Sequence, residues 1–285
     1  MRDPYIAVLP YGHQMGAHLS AMPLDALHWP LGMPERLEGT VADLEPYDHL
    51  LVFPKTSIHW KLNWGTRAKV SLMVVEPRVI HARHLAMLRL SYRRFYRVFT
   101  HDALTLKRLP NAYFLPAAST WVPDYAKVDL TKSARTSLIA SARRDTAGHQ
   151  LRHAVVDAVR AKGLDVDIMG RGYAPFNHKF EGHAPYRFSV VIENIQAGGY
   201  FTEKLIDSLL CESVPIYWGA PDVAQYFDNR GIIVCDSLDA LVAAVEGADT
   251  AKYNAMRQPL LQAKKQAIAL RDYRILAAQN LQQDA

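Results

Sequence analysis

The stretch YRFSVVIENIQAGGYFTEKLIDSLLCESVPIYWGAP, Tyr186 to Pro221, decides the fold. Phe188 to Ile192 is an apolar run of strand length, and Glu193 to Gly199 is polar and carries two glycines. An amphipathic helix opens at Thr202, and Val214 to Trp218 is a second apolar strand. Strand, helix and strand in this order make a βαβ unit, which joins parallel strands. Gly198 and Gly199 relieve the backbone just ahead of a helix start, where free N–H groups and the helix dipole favour an anion. Lys204 adds a full positive charge in the first turn. The pattern predicts a nucleotide diphosphate or a related anion as ligand.

Working outward, the same alternation continues. Ser137 to Ala140, Val166 to Met169 and Ile232 to Cys235 read as strands, with helices over His149 to Lys162 and Leu238 to Val245. Towards the N-terminus, strand-like runs occur at Tyr5 to Leu9, His49 to Phe53, Val70 to Val75, Val98 to Thr100 and Tyr113 to Leu115. Ser119 to Arg135 is polar and aperiodic and reads as a linker. From Ala251 the chain reads helical, with a break at Pro259 and a polar tail. The expectation is an α/β protein with parallel sheets covered by helices, divided into residues 1–125, 126–250 and a helical segment 251–285.

Such sheets bind ligands beyond the carboxyl ends of their strands. The residues there are Ser141 to Arg144, Gly170 to Gly172, Glu193 with Asn194, Gly219, and in the first half Glu76. Glu76 follows Val70 to Val75 and precedes Pro77, and a carboxylate at that edge is a candidate general base.

The chain has 285 residues, 49% of them hydrophobic, and a formal net charge of +5. Its two cysteines, Cys211 and Cys235, indicate neither a disulfide framework nor a metal site. No apolar run approaches the roughly 18 residues of a membrane span, and MRDPYIAVLPYGHQ lacks the long apolar core of a signal peptide. A cytoplasmic protein is expected, with anionic partners. Leu85, Leu88, Tyr92, Phe95 and Phe99 recur at helical spacing, and Arg89, Arg93 and Arg97 form a second stripe. That arginine stripe reads as a solvated face or as a peripheral contact for an anionic membrane or polysaccharide.

The opening stretch resembles the donor motif of the fucosyltransferases of glycosyltransferase family 10. That motif is a strand ending in Phe-Glu-Asn, then Tyr-x-Thr-Glu-Lys-Leu, then Val-Pro-x-x-x-Gly. Its counterparts are Ile192, Glu193 and Asn194; Tyr200, Thr202, Glu203, Lys204 and Leu205; and Val214, Pro215 and Gly219. SLIASARRDTAGHQLR resembles the family's strand ending in Ser-Asn followed by a helical Arg, which puts Ser141 and Arg152 in the donor site and Ala142 where Asn is usual. Glu76-Pro77 resembles the Glu-Ser-Pro segment that carries the family's base, without its Ser. RVFTHDALTL retains Thr100 and Asp102 of a further segment and lacks its Arg.

The resemblance implies the GT-B arrangement of two facing Rossmann-like domains. It also implies an inverting sugar transfer, with GDP-fucose as the donor and a glycan hydroxyl as the acceptor; no cofactor is required. The donor residues would be Ser141, Arg152, Glu193, Asn194, Tyr200, Thr202, Glu203 and Lys204, and the base Glu76. Arg152 and Lys204 suit a leaving diphosphate, Glu203 suits ribose hydroxyls, and Tyr200 or Asn194 would orient the diphosphate or sugar. A bacterial envelope glycan, lipid-linked forms included, made at the inner membrane is the expected acceptor, with nucleic acid a lesser alternative. A nucleotide-sugar-binding protein without catalysis is the competing reading.

Other motifs lose on chemistry. Asp165-Val166-Asp167 flanks the start of a strand, away from the ligand edge, and His149 with His153 lacks the Glu of a zinc protease. No Gly-x-Ser-x-Gly elbow, Walker loop or complete dinucleotide fingerprint is present.

Overall fold

The structure is a computed structural model that describes residues 2–35 and 37–283. It contains two compact units, one formed by Met1–Ala117 with Asp272–Ala285 and the other by Ala118–Arg271. The first unit holds β1 (Ile6–Val8), β2 (His49–Val52), β3 (Lys69–Val74), helix α1 (Arg78–Ser91), β4 (Val98–Thr100), α2 (Ala103–Arg108) and β5 (Ala112–Phe114). The second holds β6 (Ala134–Ile139), α3 (Ala147–Ala161), β7 (Asp167–Met169), β8 (Tyr186–Ile192), α4 (Glu203–Leu210), β9 (Val214–Trp218), β10 (Ile233–Val234), α5 (Leu238–Glu246) and α6 (Thr250–Leu270). The last helix, α7 (Tyr273–Gln282), belongs to the first unit.

Both sheets have five strands, and every ladder in them is parallel. Parallel strands are buried on both faces, which is why they read as continuous apolar runs. In the first sheet alternate residues part cleanly. Ala7, Leu50, Val52, Val70, Leu72, Val74 and Val98 pack with Leu85 and Leu88 of α1. Ile6, Val8, Leu51, Met73 and Phe99 pack with Ala277, Ala278 and Leu281 of α7 on the opposite face. The second unit's core brings α3, α4, α5 and α6 onto its sheet through Val155, Leu205, Leu209, Leu241 and Leu260.

The two sheets differ in strand order. The first runs β1-β2-β3-β4-β5, in chain order throughout. The second runs β10-β9-β8-β6-β7, so the chain leaves β6 towards β7 and then returns to place β8 on the other side of β6. That reversal opens a crevice at the carboxyl ends of β6 and β8, the place where open α/β sheets bind ligands.

Two expectations need correction. The helical stripe through Arg89, Arg93 and Arg97 does not exist as one face, because α1 ends at Ser91 and Val98–Thr100 is a strand. The cause is the apolar, β-branched run around Val98, which pairs with β3 and β5. Arg97 is buried and donates through Nη1 to the Asn280 carbonyl at 2.7 Å and to Asn280 Oδ1. Nor does Pro259 break its helix, since α6 continues through it to Leu270. Leu260 beside it is fully buried, and packing outweighs the one backbone bond that proline removes. Both cysteines are free and buried, and burial pushes their thiols up to about 12 for Cys211 and about 11 for Cys235.

Gly231 marks a close approach to α6. A Cβ there would lie 2.7 Å from the Leu260 Cα and N and the Pro259 carbonyl carbon. Backbone atoms cannot swing aside, so Gly231→Ala should destabilise the protein by about 1–3 kcal/mol, measured by urea unfolding; an unchanged midpoint would refute this tight contact.

Candidate functional site

The βαβ unit predicted from Tyr186 to Pro221 is β8, α4 and β9, and its loop lies at the switch-point crevice. Thr202 is the N-cap of α4, its hydroxyl accepting the Lys204 N–H. The loop before it is held from within by Glu193, which has no exposed surface. The Glu193 carboxylate accepts the Thr202 N–H at 2.8 Å and the Thr202 hydroxyl at 2.7 Å, while the Glu193 N–H donates to the Trp218 carbonyl at 2.9 Å. Glu193 therefore ties the end of β8 both to β9 and to the start of α4.

Lys204 stands over this junction. Its Nζ donates to Glu203 Oε1 at 2.8 Å and to the Thr202 hydroxyl at 3.1 Å, and lies 3.7 Å from Glu193 Oε2. Burial works against the ammonium, but Glu193 and Glu203 outweigh it and raise its pKa. Glu203 is resisted by burial and lowered by Lys204, whereas in Glu193 burial prevails and raises the carboxyl. The Lys204 side chain keeps 22% of its surface exposed, so an anion can reach it.

Arg152 comes from α3 and is buried. Its Nε and Nη2 donate to the Ile192 carbonyl, and Nη2 also reaches Asn194 Oδ1 at 3.0 Å. The guanidinium thus fastens the loop that carries Asn194, and burial lowers its pKa. α3 can come this near because Gly148 has no side chain, a Cβ there lying 1.7 Å from the Glu193 carbonyl oxygen. The Gly148 N–H donates to the Asn194 carbonyl at 3.0 Å.

The remaining predicted residues fall in two places. Ser141 follows β6 on the other side of the switch point, half-buried, with its hydroxyl 3.4 Å from the Arg143 N–H. Tyr200 is 1% exposed and belongs to the floor of the loop. Ser141, Arg152, Glu193, Asn194, Tyr200, Thr202, Glu203 and Lys204 therefore all lie in the second unit. Glu76 is in the first, exposed after β3, where the buried Pro77 caps α1. Its neighbour Arg78 pairs with Asp102, which also caps α2 through the Thr105 N–H at 2.8 Å. The two rejected metal patterns have structural partners: Asp167 accepts the Tyr186 hydroxyl at 2.8 Å, and His153 bonds Tyr173 and the Arg143 carbonyl.

Sequence reasoning missed three residues here. Asp222 accepts the Gly199 N–H at 2.9 Å and fixes the loop from the far side of β9. Asp207, one turn along α4 from Glu203, has no exposed surface. It accepts the Thr120 hydroxyl at 2.6 Å and the Trp121 N–H at 3.0 Å, while Oδ2 is without a hydrogen-bond partner. Burial pushes its carboxyl up to about 7, against Thr120 and Lys179. Lys179 is the third. Burial lowers its pKa, Asp207 and Glu203 oppose that, and Lys204 and Arg152 reinforce it, which sets Lys179 in the same electrostatic cluster. A carboxylate at position 207, on a helix otherwise burying Leu205, Ile206, Leu209 and Leu210, was the available signal.

Comparison with known proteins places this unit. Residues 132–246 match the model of the glycosyltransferase family 10 (fucosyltransferase) C-terminal domain. The chain is similar to the alpha-(1,3)-fucosyltransferase FucT of Helicobacter pylori, 41% identical over 56 residues, 20% of this chain and 12% of that protein. It is also similar to alpha-(1,3)-fucosyltransferase B of Drosophila melanogaster, 28% identical over 132 residues, 41% of this chain and 29% of the relative. These alignments span less than a third of either relative. Among solved structures it resembles an alpha1,3-fucosyltransferase, with a TM-score of 0.52 and 19% identity over 82% of this chain and 78% of that one. It also resembles Staphylococcus aureus TarM, with a TM-score of 0.56 and 8% identity over 84% of this chain and 56% of that one. The fold is of the GT-B class, and the likeness to the family 10 C-terminal domain covers residues 132–246.

Asp207 sets a pH dependence. Its folded-state pKa of about 7 lies above the ordinary carboxyl value, so the folded protein holds a proton that the unfolded chain has released. Its contribution to stability therefore falls as pH rises between about 4 and about 7. Asp207→Asn, which keeps an acceptor for Thr120 and Trp121, should flatten that slope by an amount on the order of a few kcal/mol, measured by denaturant unfolding across the pH range. The same slope in both proteins would refute it.

Proposed function

We propose that this chain, built around a family 10 donor domain, is an inverting glycosyltransferase that moves fucose from GDP-fucose to a hydroxyl of a glycan. The observation that carries the proposal is the convergence of Lys204, Glu203 and Arg152 on the start of α4 at the switch point of the second sheet.

The chemistry follows from the charges. Breaking a sugar–phosphate bond leaves negative charge on the diphosphate, and catalysis requires that charge to be met where it develops. Lys204 meets it as a point charge beside the first N–H groups of α4. Arg152 has three N–H groups committed to Ile192 and Asn194, so its Nη1 edge serves the phosphate. Glu203, whose pKa is lowered, stays ionised and accepts ribose hydroxyls. Glu76, at the carboxyl end of β3, takes the proton of the acceptor hydroxyl as its oxygen attacks the anomeric carbon opposite the leaving diphosphate. One displacement of this kind inverts the anomeric centre, and the protein's own cations neutralise the leaving group, so transfer should persist in EDTA.

Lys204→Ala should weaken GDP binding about tenfold to a hundredfold, the size of a charge-assisted contact, as read by calorimetry; unaltered affinity would remove the donor from this loop. Glu76→Gln should leave GDP affinity intact and lower transfer about 10²- to 10⁴-fold. Turnover equal to the parent protein would take Glu76 out of the mechanism, and a parent that binds GDP without any transfer would leave a binding protein.

A further inference from the structure

Lys132, Arg187 and Arg257 line an open cleft of about 520 Å³ in the second unit. It lies at the amino end of the sheet, where Lys132 precedes β6, Arg187 is the second residue of β8 and Glu212 precedes β9. The loop that carries Glu193 leaves the opposite end of β8. The Lys132 Nζ donates to the Ala184 carbonyl at 2.8 Å and to the Cys211 carbonyl at 2.6 Å, which leaves one of its three N–H groups. Arg187 Nη1 donates to the Ala134 carbonyl at 3.1 Å, and Arg257 on α6 is exposed. Among the described residues no acid pairs with any of the three cations. The two acids of the lining are engaged elsewhere: Glu212 pairs with Lys264 at 2.8 Å, and Asp129 accepts the Thr131 N–H at 2.9 Å and its hydroxyl at 2.7 Å. Glu212 is also the one described non-glycine residue with positive φ, 53°, at the end of α4, where glycine is favoured. The Tyr253 hydroxyl holds its carbonyl at 3.0 Å, so this strained wall is fixed from α6. The first turns of α6 bring Thr250, Tyr253 and Asn254 to the cleft, and the positive end of that helix adds to the cations.

We infer that this cleft is a second binding site, separate from the donor loop, for a phosphate monoester carried on a sugar-sized body. A phosphate dianion matches the Arg187 fork and the Lys132 point charge, with Arg257 at the rim. Thr131, Thr250 and Asn254 offer hydroxyl and amide groups to sugar hydroxyls. The volume lies in the range of small-molecule sites. A carboxylate ligand carries a single charge and would leave most of the cationic wall unmatched. The electrostatics of Lys132 agree. Burial above all, with Lys264 and Arg187, lowers its ammonium to about 8, against Cys211 and Glu212. Arg257 and Tyr253 face the same cleft from α6. Cys211 is pushed up to about 12 and Tyr253 is raised, so Lys132 is the group of this wall that titrates near pH 8. A bound dianion favours the charged ammonium, and binding near pH 8 therefore takes up a proton from solvent.

The test is calorimetry on the full chain with glucose 6-phosphate, inorganic phosphate and glucose. Glucose 6-phosphate should bind, inorganic phosphate should bind about tenfold more weakly for want of the hydroxyl contacts, and glucose should not bind. Arg187→Met and Arg257→Met should each weaken glucose 6-phosphate about tenfold, the size of a charge-assisted contact, while Lys204→Ala on the donor loop leaves it unchanged. At pH 8 the heat of binding should vary with the ionisation heat of the buffer, and Lys132→Met should abolish that variation. Parental affinity in both arginine variants would overturn the site. Loss of binding in Lys204→Ala would overturn it too, by moving the phosphate to the donor loop. Equal affinity for inorganic phosphate and glucose 6-phosphate would refute the sugar-sized body, and a parent chain that bound neither would refute the proposal outright. Should Lys132→Met fail to fold, the exposed Arg257 variant decides alone. GDP is not among the probes, so the result stands apart from the donor reading.

Discussion

A buried carboxylate organises the second unit. Glu193 sits at the end of a central strand, without exposed surface, and both its oxygens are engaged by the N-cap residue of the next helix. An unpaired carboxylate in that position would cost several kcal/mol, so it is stable only while Thr202 donates twice and Lys204 remains near. The loop from Glu193 to Thr202 is consequently set by an interaction that fails as a whole if it fails at all. Arg152 and Gly148 brace the same loop from α3, one by hydrogen bonds and the other by having no side chain. The loop thereby has a rigid base, which would lower the ordering cost for any ligand bound there.

The exposed and buried charges around α4 have separate tasks. Glu203 and Lys204 are paired but partly accessible, so a polyanion can compete for the lysine. Asp207, a turn further on, faces backbone and hydroxyl donors and holds structure. Thus one helix carries a lysine-paired, partly accessible acid and a buried scaffold acid on successive turns, told apart by their partners. Burial alone would not distinguish them.

Much of this was legible in the amino-acid order. Among the described residues, each of the ten strands lies within or beside a predicted apolar run, because parallel strands covered on both faces leave such runs. The motif residues from Glu193 to Lys204 were legible as well, since a loop entering a helix keeps its chemistry contiguous. What could not be read is what depends on pairing between distant segments. Nothing local says that β8 lies beside β6, and that adjacency creates the crevice. Arg97 looked like one rung of a helical stripe because its spacing suited a helix, whereas its surroundings made a strand. Lys179, Asp207 and Asp222 carry no motif, and their meaning appears only when Trp121, Glu203 and Gly199 arrive from elsewhere in the chain.

The first unit's composition from two stretches of chain bears on synthesis. The inner face of its sheet is covered by α1, made early, but Ile6, Val8, Leu51, Met73 and Phe99 await Ala277, Ala278 and Leu281. The ribosome adds roughly 5–20 residues per second, so this apolar face stays uncovered for about ten seconds or more while the entire second unit is made. The second unit is a single continuous segment and can close as it emerges. The second unit can therefore close before the first, whose second sheet face is covered only once α7 has been made.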